Sequence, residues 1–113
     1  MPSELNRRKM NAATLEMVAG RFRVLGEPSR LKLLIELESG EKCVNALAEA
    51  TYLTQANVSR HLHALTQCGI LGRRKAGLQV FYHVADPTIF EMCNHVCGSL
   101  AHRITQQAGA FGK

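Results

Sequence analysis

Apolar residues recur along this chain with two different periods, and the change from one to the other divides it into elements. Leu15, Val18, Phe22 and Leu25 follow at spacings of three and four, the rhythm of an amphipathic helix that begins near Ala12 and ends at Gly26. Pro28 opens a second helix at its first turn, with Leu31, Leu34 and Ile35 directed inward and Gly40 as the stop. "CVNALAEA" forms a short third helix with Val44, Leu47 and Ala48 on its apolar side, and Thr51-Tyr52-Leu53 predicts a turn. Thr54 then caps a fourth helix whose buried stripe is Val58, Leu62 and Leu65, closed by Cys68-Gly69. In "ILGRRKAGLQVFYHVAD" the period shortens to two, which predicts a hairpin with Ala76-Gly77 near its tip. Asp86 and Pro87 open a last helix in which Ile89, Phe90, Cys93, Val96, Cys97, Leu100, Ala101 and Ile104 keep the three-four rhythm. Beyond Ile104 the pattern is lost, so residues 105–113 are expected to be a loose tail and the polar, basic residues 1–11 a flexible arm.

Residues 12–104 therefore predict one mainly α-helical domain with a small β-hairpin. Two helices joined across a short turn make a helix-turn-helix. With Val58, Leu62 and Leu65 buried, Gln55, Asn57, Arg60 and His61 are expected to project outward near the start of the second of those helices. That end of the motif enters a major groove, where Arg matches guanine and Asn or Gln matches adenine. A hairpin directly after such a helix is a wing, and Arg73, Arg74, Lys75 and Gln79 would lie along a phosphate backbone.

Charge supports that reading. The 113 residues suit a single domain and carry a formal net charge of +5. From Ala50 to Ala85 there is no acidic residue, while Arg60, Arg73, Arg74 and Lys75 fall inside that stretch, a one-sign surface suited to a polyphosphate. Charged residues interrupt the apolar stretch 15–37, so no membrane span is expected, and no signal-peptide core is legible at the N-terminus. The expected location is the cytoplasm, where four cysteines are reduced thiols or metal thiolates. No oxyanion-hole motif is legible, which argues against an enzyme.

The segments "FRVLGEPSRLKLLIEL", "LTQANVSRHLHALTQCGIL" and "RRKAGLQVFYHVAD" resemble the ArsR/SmtB family of bacterial winged-helix repressors, and the resemblance runs from about residue 14 to 104. It implies a winged helix-turn-helix, a homodimer formed through the first and last helices, and double-stranded operator DNA released when an effector binds. Carried over by position, Gln55, Asn57, Ser59 and Arg60 become DNA-reading residues and Arg74 and Lys75 wing contacts, while Leu78 stands where relatives often carry another cation. A physical argument also favours two copies. The apolar stripe of the last helix is too long for so small a core to cover, and a palindromic site needs two heads about 34 Å apart.

The effector chemistry narrows to thiols. Cys43 occupies a helix-cap position, where unpaired backbone N–H groups favour a thiolate. Glu41-Lys42-Cys43-Val44-Asn45 resembles the family's arsenic-type pattern E-x-C-V-C with its second cysteine missing. In the zinc-type pattern Asp86 matches the first ligand, but Thr88 and Ser99 replace histidines; in the persulfide-type pattern Ile35 stands in place of a cysteine. Cys93 and Cys97 remain. At i and i+4 on one helix they share a face about 6 Å apart, a spacing one soft ion can bridge. His95 lies off that face, and Cys68, at a helix end beneath the wing, is expected to be structural. The expectation is a repressor that releases DNA when As(III), Sb(III), Cd(II) or Pb(II) binds Cys93 and Cys97, with Cys43 or the thiols of a second copy completing the site. The alternative is a redox or persulfide switch on the same fold.

Overall fold

The computed structural model describes residues 10–111. Helix α1 spans Ala12–Leu25, capped by Asn11, whose side chain accepts from the Thr14 N–H at 2.9 Å. Helix α2 spans Pro28–Leu37, and the Glu27 carboxylate accepts the Ser29 and Arg30 N–H groups at its start. Strand β1 (Lys42–Cys43) runs into helix α3 (Val44–Thr51), and helix α4 follows at Gln55–Gln67. Strands β2 (Leu71–Ala76) and β3 (Gln79–Val84) form the hairpin, and helix α5 runs from Thr88 to Phe111. Gly77, with φ of +63°, takes the first central position of a two-residue turn, a conformation that suits glycine.

The core lies where α2, α3, α4 and the base of the hairpin meet. Leu33, Leu47, Leu62, Leu65 and Ile70 have no exposed surface, and Ile89 at the start of α5 closes one side. Past Met92 and Cys93 the last helix leaves this core. The radius of gyration is accordingly 17.1 Å, against roughly 13 Å for a compact chain of this length.

Three sequence expectations change. In α2 the inward residues are Leu33, Leu34 and Leu37, and Ile35 is exposed, because it lies about 160° around the helix from Leu37. The hairpin gains a third strand: β1 pairs antiparallel with β3, Lys42 opposite Tyr82 and Cys43 opposite Phe81, giving the order β1-β3-β2. Two residues are too few for an alternating pattern to show. Helix α5 continues through Phe111, so the expected loose tail is helical over most of its length. Apolar period reports burial, and Thr105-Gln106-Gln107-Ala108 contains no helix breaker, so the helix continues with that face in solvent. Most of the expected arm, residues 1–9, lies outside the described residues; Asn11 is the cap of α1.

Candidate DNA-binding face and thiol pair

Helices α3 and α4 meet across Tyr52, Leu53 and Thr54. Tyr52 holds a left-handed φ of +61°, and Thr54 Oγ1 accepts the Asn57 N–H at 3.1 Å. From this start Gln55, Asn57, Ser59 and Arg60 all face solvent. Arg60 Nη2 donates to Asn57 Oδ1 at 3.0 Å, which fixes the guanidinium beside the amide one turn back.

His61 does not join them. It is buried, at 4 % exposure, although the sequence reading directs it outward. It stands three residues after Val58 and four before Leu65, inside the apolar stripe, and that spacing was the signal available for its burial. Arg30 Nε donates to His61 Nδ1 at 3.0 Å, so the ring is neutral with its proton on Nε2, which lies 3.8 Å from Glu27 Oε1. Burial first, then the positive charge of Arg60 and Arg30, holds its pKa below the ordinary histidine value, with Glu27 opposing. His61 thus ties α4 to the start of α2 and does not project outward with the others.

On the wing, alternation splits the cations. Leu71, Arg73 and Lys75 share the face turned toward the core, and the two cations lie where the hairpin extends past it. Gly72, Arg74 and Ala76 share the other face. A Cβ at Gly72 would stand 2.6 Å from His83 Nε2, so any larger residue there would have to displace that ring. Arg74 is engaged by Glu41 and lies over the Phe81 ring at 5.1 Å from its centre. Leu78 at the tip is fully exposed.

All four thiols are free. Cys43 is the cap residue of α3, half-buried, but its side chain makes no capping hydrogen bond. Cys68 packs against the core with its Sγ 3.5 Å from the Leu65 carbonyl oxygen. On α5, Cys93 is half-buried and Cys97 exposed, and His95 and His102 face solvent. Among the described residues no three His, Cys, Asp or Glu side chains of one chain gather to hold a metal ion, so Cys43 is not brought together with Cys93 and Cys97.

Asp86, the residue matching a zinc-type ligand, is already occupied. Its carboxylate accepts from Thr88 and from Arg21 Nη1 at 2.7 Å, and these bonds hold its pKa below the ordinary aspartate value. Arg21 Nη2 also donates to the Cys68 carbonyl at 2.7 Å, so one side chain of α1 joins the end of α4 to the start of α5. The remaining faces of α1 and α5 are open: Leu15, Val18 and Phe22 on the first, Val96, Leu100 and Ile104 on the second, are all exposed. No described helix is long and apolar enough to cross a membrane.

A helix-turn-helix followed directly by a basic β-wing defines a winged helix-turn-helix protein. Residues 27–72 match the model of the bacterial regulatory protein, arsR family. The chain is 31% identical to the AntR antimony-specific transcriptional repressor, whose structure superposes with a TM-score of 0.72 over 94% of this chain and 96% of that one. It is 29% identical to the homodimeric winged helix-turn-helix DNA-binding domain of a possible ArsR-family transcriptional regulator from Mycobacterium bovis, with a TM-score of 0.73 over 82% and 86% of the two chains. It is also 37% identical, over 63% of its length, to a probable mercury resistance operon repressor of Streptomyces lividans, and spans 57% of that protein. The first curated relatives it matches are thus longer, with between 57% and 58% of their lengths spanned. The chain belongs to the ArsR family, a family of transcriptional regulators and not of enzymes.

Proposed function

We propose that this chain is a cytoplasmic homodimeric repressor that binds double-stranded operator DNA and releases it when a thiophilic metal or metalloid ion of the As(III), Sb(III), Cd(II) or Pb(II) class binds Cys93 and Cys97. The observation that carries the reading is that both thiols sit on α5, the helix whose apolar face is left uncovered by the rest of the chain. A second copy seated on that face would bring its own α5 thiols near the first pair and supply the third donor that one chain lacks. Cys43 is then a ligand only if the second copy presents it. The relatives support the effector class: one is named an antimony-specific transcriptional repressor and another a probable mercury resistance operon repressor, and antimony and mercury are both soft.

Gln55, Asn57, Ser59 and Arg60 read the major groove, and the wing grips phosphate. Arg21 supplies a physical link, since it touches the end of the recognition helix and the first residues of the helix that carries the thiols. Thiol geometry favours an ion over an oxidised pair. Cβ atoms at i and i+4 are about 5–6 Å apart, longer than the roughly 3.5–4.5 Å of a disulfide, whereas metal–sulfur bonds span the gap. Reduced protein titrated with As(III), Cd(II) and Pb(II) should develop thiolate-to-metal charge-transfer absorption that disappears in Cys93→Ser and in Cys97→Ser. Absence of such a band with every ion, together with added sulfur seen by mass spectrometry after persulfide treatment, would transfer the sensor role to sulfur chemistry.

A further inference from the structure

The wing presents three consecutive cations, Arg73, Arg74 and Lys75, yet the sheet treats the middle one differently. Arg74 Nε donates to Glu41 Oε1 at 3.2 Å and its Nη2 donates to Glu41 Oε2, a two-pronged pairing of guanidinium with carboxylate. Its guanidinium also lies over Phe81, the residue opposite it on β3. Phe81 in turn pairs on its other side with Cys43 of β1, two residues after Glu41. The clamp therefore crosses the whole three-stranded sheet, from the segment leading into β1 to the outer strand β2. Arg73 and Lys75 point to the opposite face, and among the described residues no carboxylate pairs with either.

We infer that Arg74 is a positioning residue that braces the wing through Glu41, and that the phosphate contacts of the wing come from Arg73 and Lys75. The inference rests on the proposed DNA-binding role and corrects one of the contacts that the family resemblance implies. Two physical consequences separate it from the simpler view of three equivalent cations. Paired with Glu41, Arg74 contributes no net charge at the place where a phosphate would sit, and the carboxylate itself repels phosphate. The pairing is also mutual in its electrostatics: the Arg74 hydrogen bond lowers the Glu41 pKa, and Glu41 raises that of Arg74, so both stay charged across the neutral range.

The test is the salt dependence of duplex binding by the whole protein, because the slope of log affinity against log salt counts phosphate contacts directly, at about 0.9 per contact. Arg73→Gln and Lys75→Gln should each lower the slope by about 1.8 for a two-winged complex, roughly a 12-fold difference in affinity change between 50 and 200 mM salt. Glu41→Gln should raise the slope by about the same 1.8 by freeing a cation, whereas Arg74→Gln unpairs a carboxylate that repels phosphate and should weaken binding. The double variant Glu41→Gln, Arg74→Gln, which removes the pair as a neutral unit, should keep the slope of the unmodified protein. A double-variant slope lowered as far as that of Arg73→Gln, or a Glu41→Gln slope that does not rise, would overturn the assignment. Unmodified protein showing no salt dependence at all would refute the DNA-binding reading, and the assignment with it.

Discussion

The head of this molecule and its helical flank are built to opposite rules. In the head, Leu33, Leu47, Val58, Leu62, Leu65 and Ile70 are all at 0 % exposure. On the flank, Phe22 of α1 and Val96, Leu100 and Ile104 of α5 are between 53% and 63% exposed, although they repeat with the same helical period. Equal periodicity with unequal burial means that the two stripes have different partners. The head's stripe is satisfied within the chain; the flank's is uncovered in the single chain, and the thiol pair lies on the same helix. On the proposed function, folding and DNA geometry belong to one region, assembly and sensing to the other.

Substitutions that break this division should do so unequally. Leu62→Ala, in the closed core, should lower stability by about 2–5 kcal/mol in denaturant titrations and abolish DNA binding through loss of the fold. Leu100→Glu should leave the head's cooperative melt in place but give a monomer by sedimentation, with operator affinity reduced by at least about 30-fold, as expected for a charge placed in an interface centre. If Leu100→Glu unfolded the head, the flank would be core and the comparison would fail.

Smaller effects sharpen the comparison. Cys93→Ser and Cys97→Ser should preserve dimer mass and effector-free DNA affinity within about twofold, since isosteric changes on exposed or half-exposed positions rarely exceed 0.5 kcal/mol, while the response to soft ions is lost. His61 gives the subtlest signal. Its folded pKa is depressed, so the unfolded chain binds the extra proton more readily, and stability is complete above the ordinary histidine value and declines as pH falls below it. Urea titrations from pH 7.5 down to pH 5 should show that decline, with its histidine part missing in His61→Gln. A decline of equal size in the variant would remove His61 as its source.

The sequence made the architecture legible because the helices announce themselves by period and, at Pro28, Thr54 and Asp86, by residues that suit a helix start. The exposure of Gln55, Asn57 and Arg60 followed from the stripe they oppose, and Ser59, also exposed, was indicated only by the family resemblance. Errors fell where side-chain polarity and position disagree. His61 is a polar residue at an apolar position, stabilised there by Arg30, and Ile35 is an apolar residue on the exposed side of α2. Strand β1 was invisible because its two residues are strand only by pairing with β3. Pairing across the sheet likewise separates Arg74 from its neighbours, since Glu41 lies 33 residues away in the chain. The uncovered flank was anticipated from the length of the α5 stripe, and its openness in the single chain agrees with that argument.

The decisive measurement is operator release under linkage. Duplexes selected by the reduced protein from a random library would be titrated at fixed salt with and without As(III), Sb(III), Cd(II) and Pb(II), and the ion titrated in turn with and without DNA. At least one ion should weaken DNA binding, DNA should weaken that ion's binding by the same factor, and Cys93→Ser should abolish both effects. DNA affinity unchanged by every ion, or a response that persists in the Cys93→Ser, Cys97→Ser double variant, would contradict the assignment of sensing to the thiols of α5.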